Sequence, residues 1–201
     1  MTLAVLYATN EQPQLDSGTA AILFTRDWNE WISLNADAWI NLQEDAIEKD
    51  YSFTQKPVFI HSVTYCLSAY QHGDQVVRIN GWNGFPERPV WEYAGKGSEQ
   101  HQSAMAAIHK QLIAVPDQPG FITARIISLI INEAYFALGE RVSTEAAIDT
   151  AMKLGTNYPK GPFEWAALIG KEKIYHLLLK LTETDIRYTP ALSLEKETVL
   201  P

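Results

Sequence analysis

The sequence predicts an α/β fold class, in which a truncated, doubly wound (Rossmann-like) parallel sheet domain precedes an all-α domain. Up to about residue 115, short runs of Val, Ile and aromatic residues alternate with polar or helical pieces. Beyond that point the apolar residues recur with a helical period. The turn signal Asp117-Gln118-Pro119-Gly120 separates the two regions, so we expect domains at 1–116 and 117–201.

The first region contains six runs with the length and composition of strands. They are Leu3–Ala8, Ala21–Thr25, Ala38–Leu42, Pro57–Ser62, Gln75–Asn80 and Val90–Tyr93. Four pieces between or after them are predicted to be helical: Trp28–Leu34, Ala46–Ser52, Val63–Ala69 and Glu99–Ala114. Strands that alternate with helices are typical of a parallel sheet covered on both faces.

Four helices are predicted in the second region. They are Phe121–Leu138, Thr144–Leu154, Phe163–Ile169 and Lys171–Thr184. Ser143 is a suitable N-cap for the second helix, and Gly155 could end it in the left-handed conformation. Pro162 after Gly161 suits the first position of the third helix.

The overall composition restricts the kinds of partner. The chain has 201 residues, of which 46% are hydrophobic and 20% charged, with a net charge of −8. Without a Lys/Arg cluster, a nucleic-acid or anionic-membrane surface is not expected, and small molecules or proteins are the expected partners. Cys66 is the only cysteine and the histidines show no metal-ligand spacing, so no disulfide or metal site is predicted. We find no signal segment and expect a cytoplasmic protein.

Several motifs of the second region occur in a specific order and spacing. They are Pro119-Gly120-Phe121, Asn132-Glu133-Ala134, Asp149 with 151–155, Tyr158-Pro159, 161–164 and 187–190. Together they resemble the C-terminal domain of 3-hydroxyacyl-CoA dehydrogenases. The resemblance implies an all-α, 6-phosphogluconate-dehydrogenase-C-terminal-like helical domain that usually dimerises.

A weaker similarity to the same family continues upstream. The segments that carry it are 36–40 with Glu44-Asp45, 59–64 and 76–93. In the last segment Asn83, Pro86 and Glu92 match the family pattern. The resemblance places Glu92 and Asn80 at catalytic positions, and Thr64, Asn83 and His61 at the substrate site.

Three features that the family uses for NAD-dependent catalysis are absent. The segment 9–18 after the first strand has one glycine and two carboxylates, where a Gly-rich turn would cradle the dinucleotide. Asn80 stands at the position of the family's catalytic His, and an amide cannot exchange a proton at neutral pH. Ala124 stands where the family has a substrate-binding Asn. We therefore expect no cofactor, although NAD is the family's cofactor.

Structural interpretations compete with functional ones at the remaining residues. His61 ends a predicted central strand, where open α/β sheets bind ligands, but a lone His is commonly a hydrogen-bonded structural residue. Glu92 is either a surviving acid or a structural hydrogen-bond acceptor. The tryptophans at 28, 31, 39, 82 and 91 either fill a sheet face that has lost its helix or form a patch for a partner.

Three functional hypotheses follow from the resemblance. We favour a family member without catalysis that acts as a dimeric binding or regulatory protein and retains an acyl-CoA ligand. An active NAD-dependent 3-hydroxyacyl-CoA dehydrogenase that uses non-standard residues is the alternative. In the third, the chain pairs through its helical domain with a full-length relative instead of forming a homodimer.

Overall fold

The computed structural model describes residues 1–8 and 12–199. They fall into two compact units, which divide between Phe121 and Ile122. The first unit contains the sheet and the second is helical.

Seven strands form one sheet in the order β2-β1-β3-β4-β5-β6-β7. The strands are β1 Thr2–Leu6, β2 Ala21–Thr25, β3 Ala38–Asn41, β4 Val58–His61, β5 Val76–Ile79, β6 Val90–Gly95 and β7 Gln111–Ala114. Strands β1 to β5 run parallel, whereas β6 is antiparallel to β5 and β7 is parallel to β6. The fold class is as predicted, with two reversed strands at one end of the sheet.

Alternate side chains of the strands build a core on each face of the sheet. One face packs Leu3, Val5, Phe59 and Ile79 beneath helix α2 (Glu99–Ala106). The other packs Ala4, Leu6 and Ile60 with helix α1 (Trp28–Ser33) and the segment around Tyr51 and Tyr70. Period-two alternation that is apolar on both faces is the pattern of a sheet covered on both sides.

The prediction of one helix over Glu99–Ala114 was wrong in its second half. Helix α2 ends at Ala106, and His109 adopts a left-handed φ of 56° that stops it. The chain then returns as β7, where the Gln111 amide donates to Pro89 O at 2.8 Å. Pairing with β6 therefore overrides the helical periodicity of a short run.

Two further predicted helices are absent. Ala46–Ser52 forms turns, and Val63–Ala69 contains only a 3-10 turn at Leu67–Ala69. Tyr51, in the first segment, and Tyr70, directly after the second, are buried in the core of the α1 face. Irregular segments with large aromatic side chains thus cover the part of the sheet where the sequence predicts helices.

The tryptophans are packing residues, as the first interpretation holds. Trp31, Trp39, Trp82 and Trp91 are at most 5% exposed. Trp28, which is half-buried, lies with its ring centroid 5.1 Å from that of Trp31. Phe53 makes edge contacts with Trp28, Trp31 and Trp39, so one aromatic cluster supports the α1 face.

The connection from β1 to β2 contains no helix in its described residues, 7–8 and 12–20. Leu15 packs against the core beneath α2. Gly18 has a φ of +49°, and a Cβ on it would lie 2.3 Å from Ala107 O, so only glycine fits. Thr19 donates its amide to the same oxygen at 2.9 Å. The connection is therefore anchored to the turn after α2.

The described residues of the second unit form five α-helices: α3 Thr123–Gly139, α4 Glu145–Thr156, α5 Pro162–Ile169, α6 Lys171–Thr182 and α7 Leu192–Val199. The last was not predicted. Thr144, rather than Ser143, caps α4, and Asn157, rather than Gly155, adopts the left-handed conformation after it. Buried Asp149 accepts from the Phe163 amide at 2.8 Å and thereby caps α5. Among the described helices, none has the length and apolarity needed to cross a membrane.

Candidate functional site

Polar side chains gather at the carboxyl edge of the parallel strands. Because β3, β4 and β5 are neighbours and run in the same direction, the residues that follow them meet at one edge, where open α/β sheets bind ligands. We name these residues the carboxyl-edge cluster: Glu44, Asp45, His61, Ser62, Thr64, Asn80 and Trp82.

His61, at the end of β4, is 2% exposed and held in a defined tautomer. The Gly81 amide donates to His61 Nδ1 at 3.0 Å, so the neutral ring carries its proton on Nε2. A Cβ on Gly81 would lie 2.7 Å from His61 Cγ, which explains why a glycine stands there. His61 Nε2 lies 3.9 Å from Glu44 Oε1, which accepts from Trp82 Nε1 at 2.9 Å.

Asp45 is a carboxyl group of the cluster whose acidity is altered by its surroundings. Burial raises its pKa to about 6, and the nearby Glu44 carboxylate acts in the same direction. Hydrogen bonds from Ser62 and Thr64 and the charge of Arg78 oppose the rise. Ser62 Oγ lies 2.8 Å from Asp45 Oδ1 and 2.8 Å from Tyr65 O. Asp45 can therefore gain or lose a proton close to neutral pH.

Arg78, on β5, holds in place the loop after β4, which contains part of the cluster. Its side chain is fully buried and donates from Nε to Asp117 Oδ1 at 2.6 Å. Its Nη1 donates to Ser62 O at 2.9 Å and to Tyr65 O at 2.6 Å. The guanidinium thus fixes the loop after β4 to the segment that ends the sheet unit.

The predicted catalytic positions, Asn80 and Glu92, lie near each other. Ile79 pairs with Tyr93 on the antiparallel strands β5 and β6. The next position in the same register brings Asn80 opposite Glu92. Asn80 is buried, and its side-chain oxygen accepts from the Trp82 amide at 3.2 Å, which shapes the turn after β5. Glu92 is half-buried on β6. The side-chain amide of Asn80 therefore stabilises the turn after β5.

The predicted substrate residues are only partly brought together. Thr64 is 8% exposed and contacts Asp45 through its hydroxyl, and His61 lies in the same cluster. Asn83 is exposed in the turn between β5 and β6. Their role in binding substrate stays a prediction.

Sequence reasoning did not include Glu44, Asp45, Ser62 or Arg78 among the site residues. The argument that selected His61, namely its place at the end of a central strand, applies equally to the two carboxylates after β3. Arg78 was not predicted as a site residue because it lies within the apolar run Val76–Ile79, whose pattern is typical of an ordinary core strand.

NAD does not fit the described part of the segment that would have to hold it. Gly18 is the sole glycine among residues 12–20 and faces Ala107 rather than a ligand. The Gly18 amide donates to Asp16 Oδ1 at 2.9 Å, and the Ala20 amide to Ser17 O at 2.7 Å. These amides are therefore engaged within the protein. Residues 9–11, which belong to the predicted loop, lie outside the described residues.

The cluster is equipped for proton exchange and hydrogen bonding. It combines a His with a defined Nε2 proton, a carboxyl group with a pKa of about 6 and a second carboxylate in Glu44. Among the residues that the structure describes, no group of three or more His, Cys, Asp or Glu could hold a metal ion.

The comparison with protein families matches residues 120–197 to the model described as 3-hydroxyacyl-CoA dehydrogenase, C-terminal domain. A 3-hydroxyadipyl-CoA dehydrogenase of Escherichia coli (strain K12) is 41% identical over 93 residues, which are 45% of this chain and 20% of that protein. A 3-hydroxybutyryl-CoA dehydrogenase of Clostridioides difficile is 32% identical over 139 residues, which are 64% of this chain and 48% of that protein. The chain thus spans less than half of these relatives.

Solved structures show the same fold. An (S)-3-hydroxybutyryl-CoA dehydrogenase from Ralstonia eutropha matches 87% of this chain and 69% of its own, with a TM-score of 0.67 and 22% identity. A 3-hydroxybutyryl-CoA dehydrogenase from Escherichia coli K12 matches 87% of this chain and 41% of its own, with a TM-score of 0.68 and 19% identity. A Rossmann-like unit followed by a helical unit is common to all three.

Proposed function

Since this chain belongs to the 3-hydroxyacyl-CoA dehydrogenase family through its C-terminal region, we propose that it binds an acyl-CoA without NAD-dependent catalysis. It would act in acyl-CoA or fatty-acid metabolism as a dimeric binding or regulatory protein. The observation that carries the proposal is the β1–β2 connection, where the amides of Gly18, Thr19 and Ala20 bond within the protein rather than forming a phosphate cradle.

The turn after β5 supports the same proposal. A dehydrogenase of this family needs a side chain that accepts the hydroxyl proton of the substrate, and Asn80 cannot do so. Its oxygen is already used by the Trp82 amide. Glu92, the carboxylate that would orient the family's base, lies beside an amide instead.

Thermal melting with separate ligands tests the proposal. We expect acetoacetyl-CoA to raise the melting temperature, and NAD and NADP to leave it unchanged, because a ligand stabilises only a fold that binds it. A shift with NAD would contradict the loss of cofactor binding. If no acyl-CoA or CoA produced a shift, the ligand part of the proposal would be wrong.

One observation favours the alternative of an active dehydrogenase with non-standard residues. His61 and Glu44 lie at the carboxyl edge with their polar atoms 3.9 Å apart, and Asp45 titrates near neutral pH. Incubation of the purified protein with 3-hydroxybutyryl-CoA and NAD decides between the two. We expect no NADH, and turnover that disappears in the His61→Ala variant would establish the alternative.

The proposed dimer uses the helical unit. Apolar side chains there remain exposed, among them Val142 at 70%, Leu154 at 83% and Ile186 at 83%. A homodimer would cover such residues, and so would a heterodimer with a full-length relative. Light scattering of the purified protein, together with purification from the native cell, separates these partners.

A further inference from the structure

The edge strand β2 has a row of backbone groups that face away from the sheet. The Ala21 amide donates to Met1 O at 2.9 Å, and Thr25 O accepts from the Tyr7 amide at 3.2 Å. In a parallel ladder, alternate residues bond to the same neighbour, so Ala21, Leu23 and Thr25 face β1. The N–H and C=O groups of Ile22 and Phe24 therefore point outward, and β2 has a described strand neighbour on its β1 side alone.

Within the part of the chain that the structure describes, this edge strand lacks three features by which proteins commonly prevent pairing: a charge, a proline and a bulge. Its sequence, AILFT, contains no charge and no proline, and its register with β1 is regular over all five residues. Leu23 is paired with Ala4, so its side chain lies on the face of the sheet that carries α1. The residue is 41% exposed there. Ile22 and Phe24 are directed to the opposite core, so the accessible part of the edge consists of backbone and of the Ala21 and Leu23 side chains.

We infer that β2 pairs with β2 of a second copy of this chain, antiparallel about a two-fold axis at Leu23. With the axis there, Ile22 of each copy faces Phe24 of the other. The outward amides and carbonyls of these residues then form four hydrogen bonds. The sequence suits a second copy because the pairs across the axis (Leu23 with Leu23, Ala21 with Thr25) bring no like charges together.

The register predicts where side chains meet. Leu23 and its symmetry mate form a non-hydrogen-bonded pair, in which the Cα atoms lie about 4.5 Å apart. Each Leu23 then covers the other, which removes its exposed apolar surface from water. Five residues a side make a small interface, so the association is expected to be weak and to depend on protein concentration.

Disulfide trapping tests this register directly. In a Cys66→Ser background, Leu23→Cys places two thiols at the separation that a disulfide requires. Ala21→Cys is the matched control, since Ala21 is exposed on the same strand and face but meets Thr25 of the other copy. We expect covalent dimer to form at least about tenfold faster with Leu23→Cys than with Ala21→Cys. Equal rates, or no dimer with either, would overturn the inference.

Sedimentation velocity gives an independent test without new thiols. Leu23→Lys should weaken self-association at least about tenfold, because it places two charges opposite each other on the paired edge. Ile113→Lys, on the opposite edge strand β7 and 46% exposed in the parent protein, should leave it unchanged. Circular dichroism confirms that both variants fold. If neither variant alters association, or both do so equally, the β2 edge is not a contact between copies, whether or not a helical-unit dimer exists.

These tests are separable from the proposed function. Loss of the β2 pairing would leave acyl-CoA melting shifts and any helical-unit dimer in place. Conversely, failure to bind acyl-CoA would not affect disulfide formation at Leu23.

Discussion

Among single residues, Arg78 is the one whose replacement we expect to destabilise the sheet unit strongly. Its guanidinium is buried with Asp117, two carbonyls of the loop after β4 and Gln118 O as acceptors, and it stacks 4.5 Å from the Phe121 ring centroid. Arg78→Met leaves the Asp117 carboxylate and these carbonyls without their donor. We expect a loss of about 3 kcal/mol or more in the free energy of unfolding, measured with urea.

Lys96→Met provides the comparison for Arg78. Lys96 bonds Asp74 at 2.6 Å, but both side chains are at least 75% exposed. Surface ion pairs contribute little, so the urea midpoint should not move. An equal loss in both variants would show that burial of Arg78 is not the reason for its importance.

Asp45 gives the protein a stability that changes with pH. Its pKa is about 6 in the folded protein and 3.8 in the unfolded chain, so between these values the folded protein binds more protons. The free energy of unfolding should therefore rise as the pH falls from about 6 towards 3.8, by at most about 1.4 kcal/mol per pH unit. Asp45→Asn removes this dependence and should be at least as stable as the parent at pH 7.5.

The control for Asp45 is Asp50→Asn. Asp50 is exposed, and hydrogen bonds from Ser52 lower its pKa, so its replacement removes a favourable interaction of the charged form. We expect no gain in stability at pH 7.5 from this variant. A gain equal to that of Asp45→Asn would mean that a general reduction of negative charge, rather than burial, is responsible.

At the level of individual side chains, the sequence identifies the position of the site better than its chemistry. His61 was selected from its place at the end of β4 and Thr64 from the family resemblance, and both lie in the cluster. The raised pKa of Asp45 depends on burial, and burial depends on loops whose paths local patterns do not determine. Asn80 could be aligned with a catalytic position, but its bond to the Trp82 amide is visible only in three dimensions.

Among the secondary-structure elements, α2 is attached to the sheet by His101. The ring accepts from the Ser98 amide at Nδ1 and donates from Nε2 to Gln75 O at 2.8 Å, so it is held neutral. Burial lowers its pKa from 6.5, and the bond to Gln75 opposes this. Below about pH 6.5 the unfolded chain binds more protons than the folded one, so stability should fall as the pH decreases through this range.

The variant His101→Gln separates this effect from that of Asp45. Gln at the third helical position can still accept from the Ser98 amide, but it does not titrate. Chemical denaturation between pH 7.5 and 5 should show that the free energy of unfolding decreases less with falling pH in this variant than in the parent protein. This expectation holds whatever the stability of the variant at pH 7.5. An unchanged slope would mean that His101 is not the titrating group.

Elements were predicted well where packing and local pattern agree. The long helix α3 and the parallel strands β1 to β5 have apolar periods that match their environment. Strand β7 was missed because Gln111–Ala114 continues a helical spacing, and its identity depends on pairing with β6. The segments 46–52 and 63–69 were misassigned because Tyr51, in the first, and Tyr70, directly after the second, fill the core from irregular backbone rather than from a helix.

On the scale of the whole molecule, the loss of cofactor binding and the loss of the catalytic base that we propose are independent of each other. Asn80→His would restore an imidazole beside Glu92, but it leaves the β1–β2 connection unchanged. We therefore expect no NADH from Asn80→His with 3-hydroxybutyryl-CoA and NAD. The acyl-CoA melting shift of the same variant serves as the control for an intact fold. NADH formation would show that the β1–β2 connection does not prevent cofactor use.

The short β1–β2 connection also affects how the chain folds. Fourteen residues, 7–20, separate the two strands, and no helix is found in the described part of them. Loop-closure entropy grows with the logarithm of loop length, and halving a loop saves only about 0.6 kcal/mol. This difference in free energy is small, but it applies before any core has formed. The β1–β2 pair therefore has a low entropic cost as the first long-range contact. Strands β3 and β4 can then pair with it in chain order.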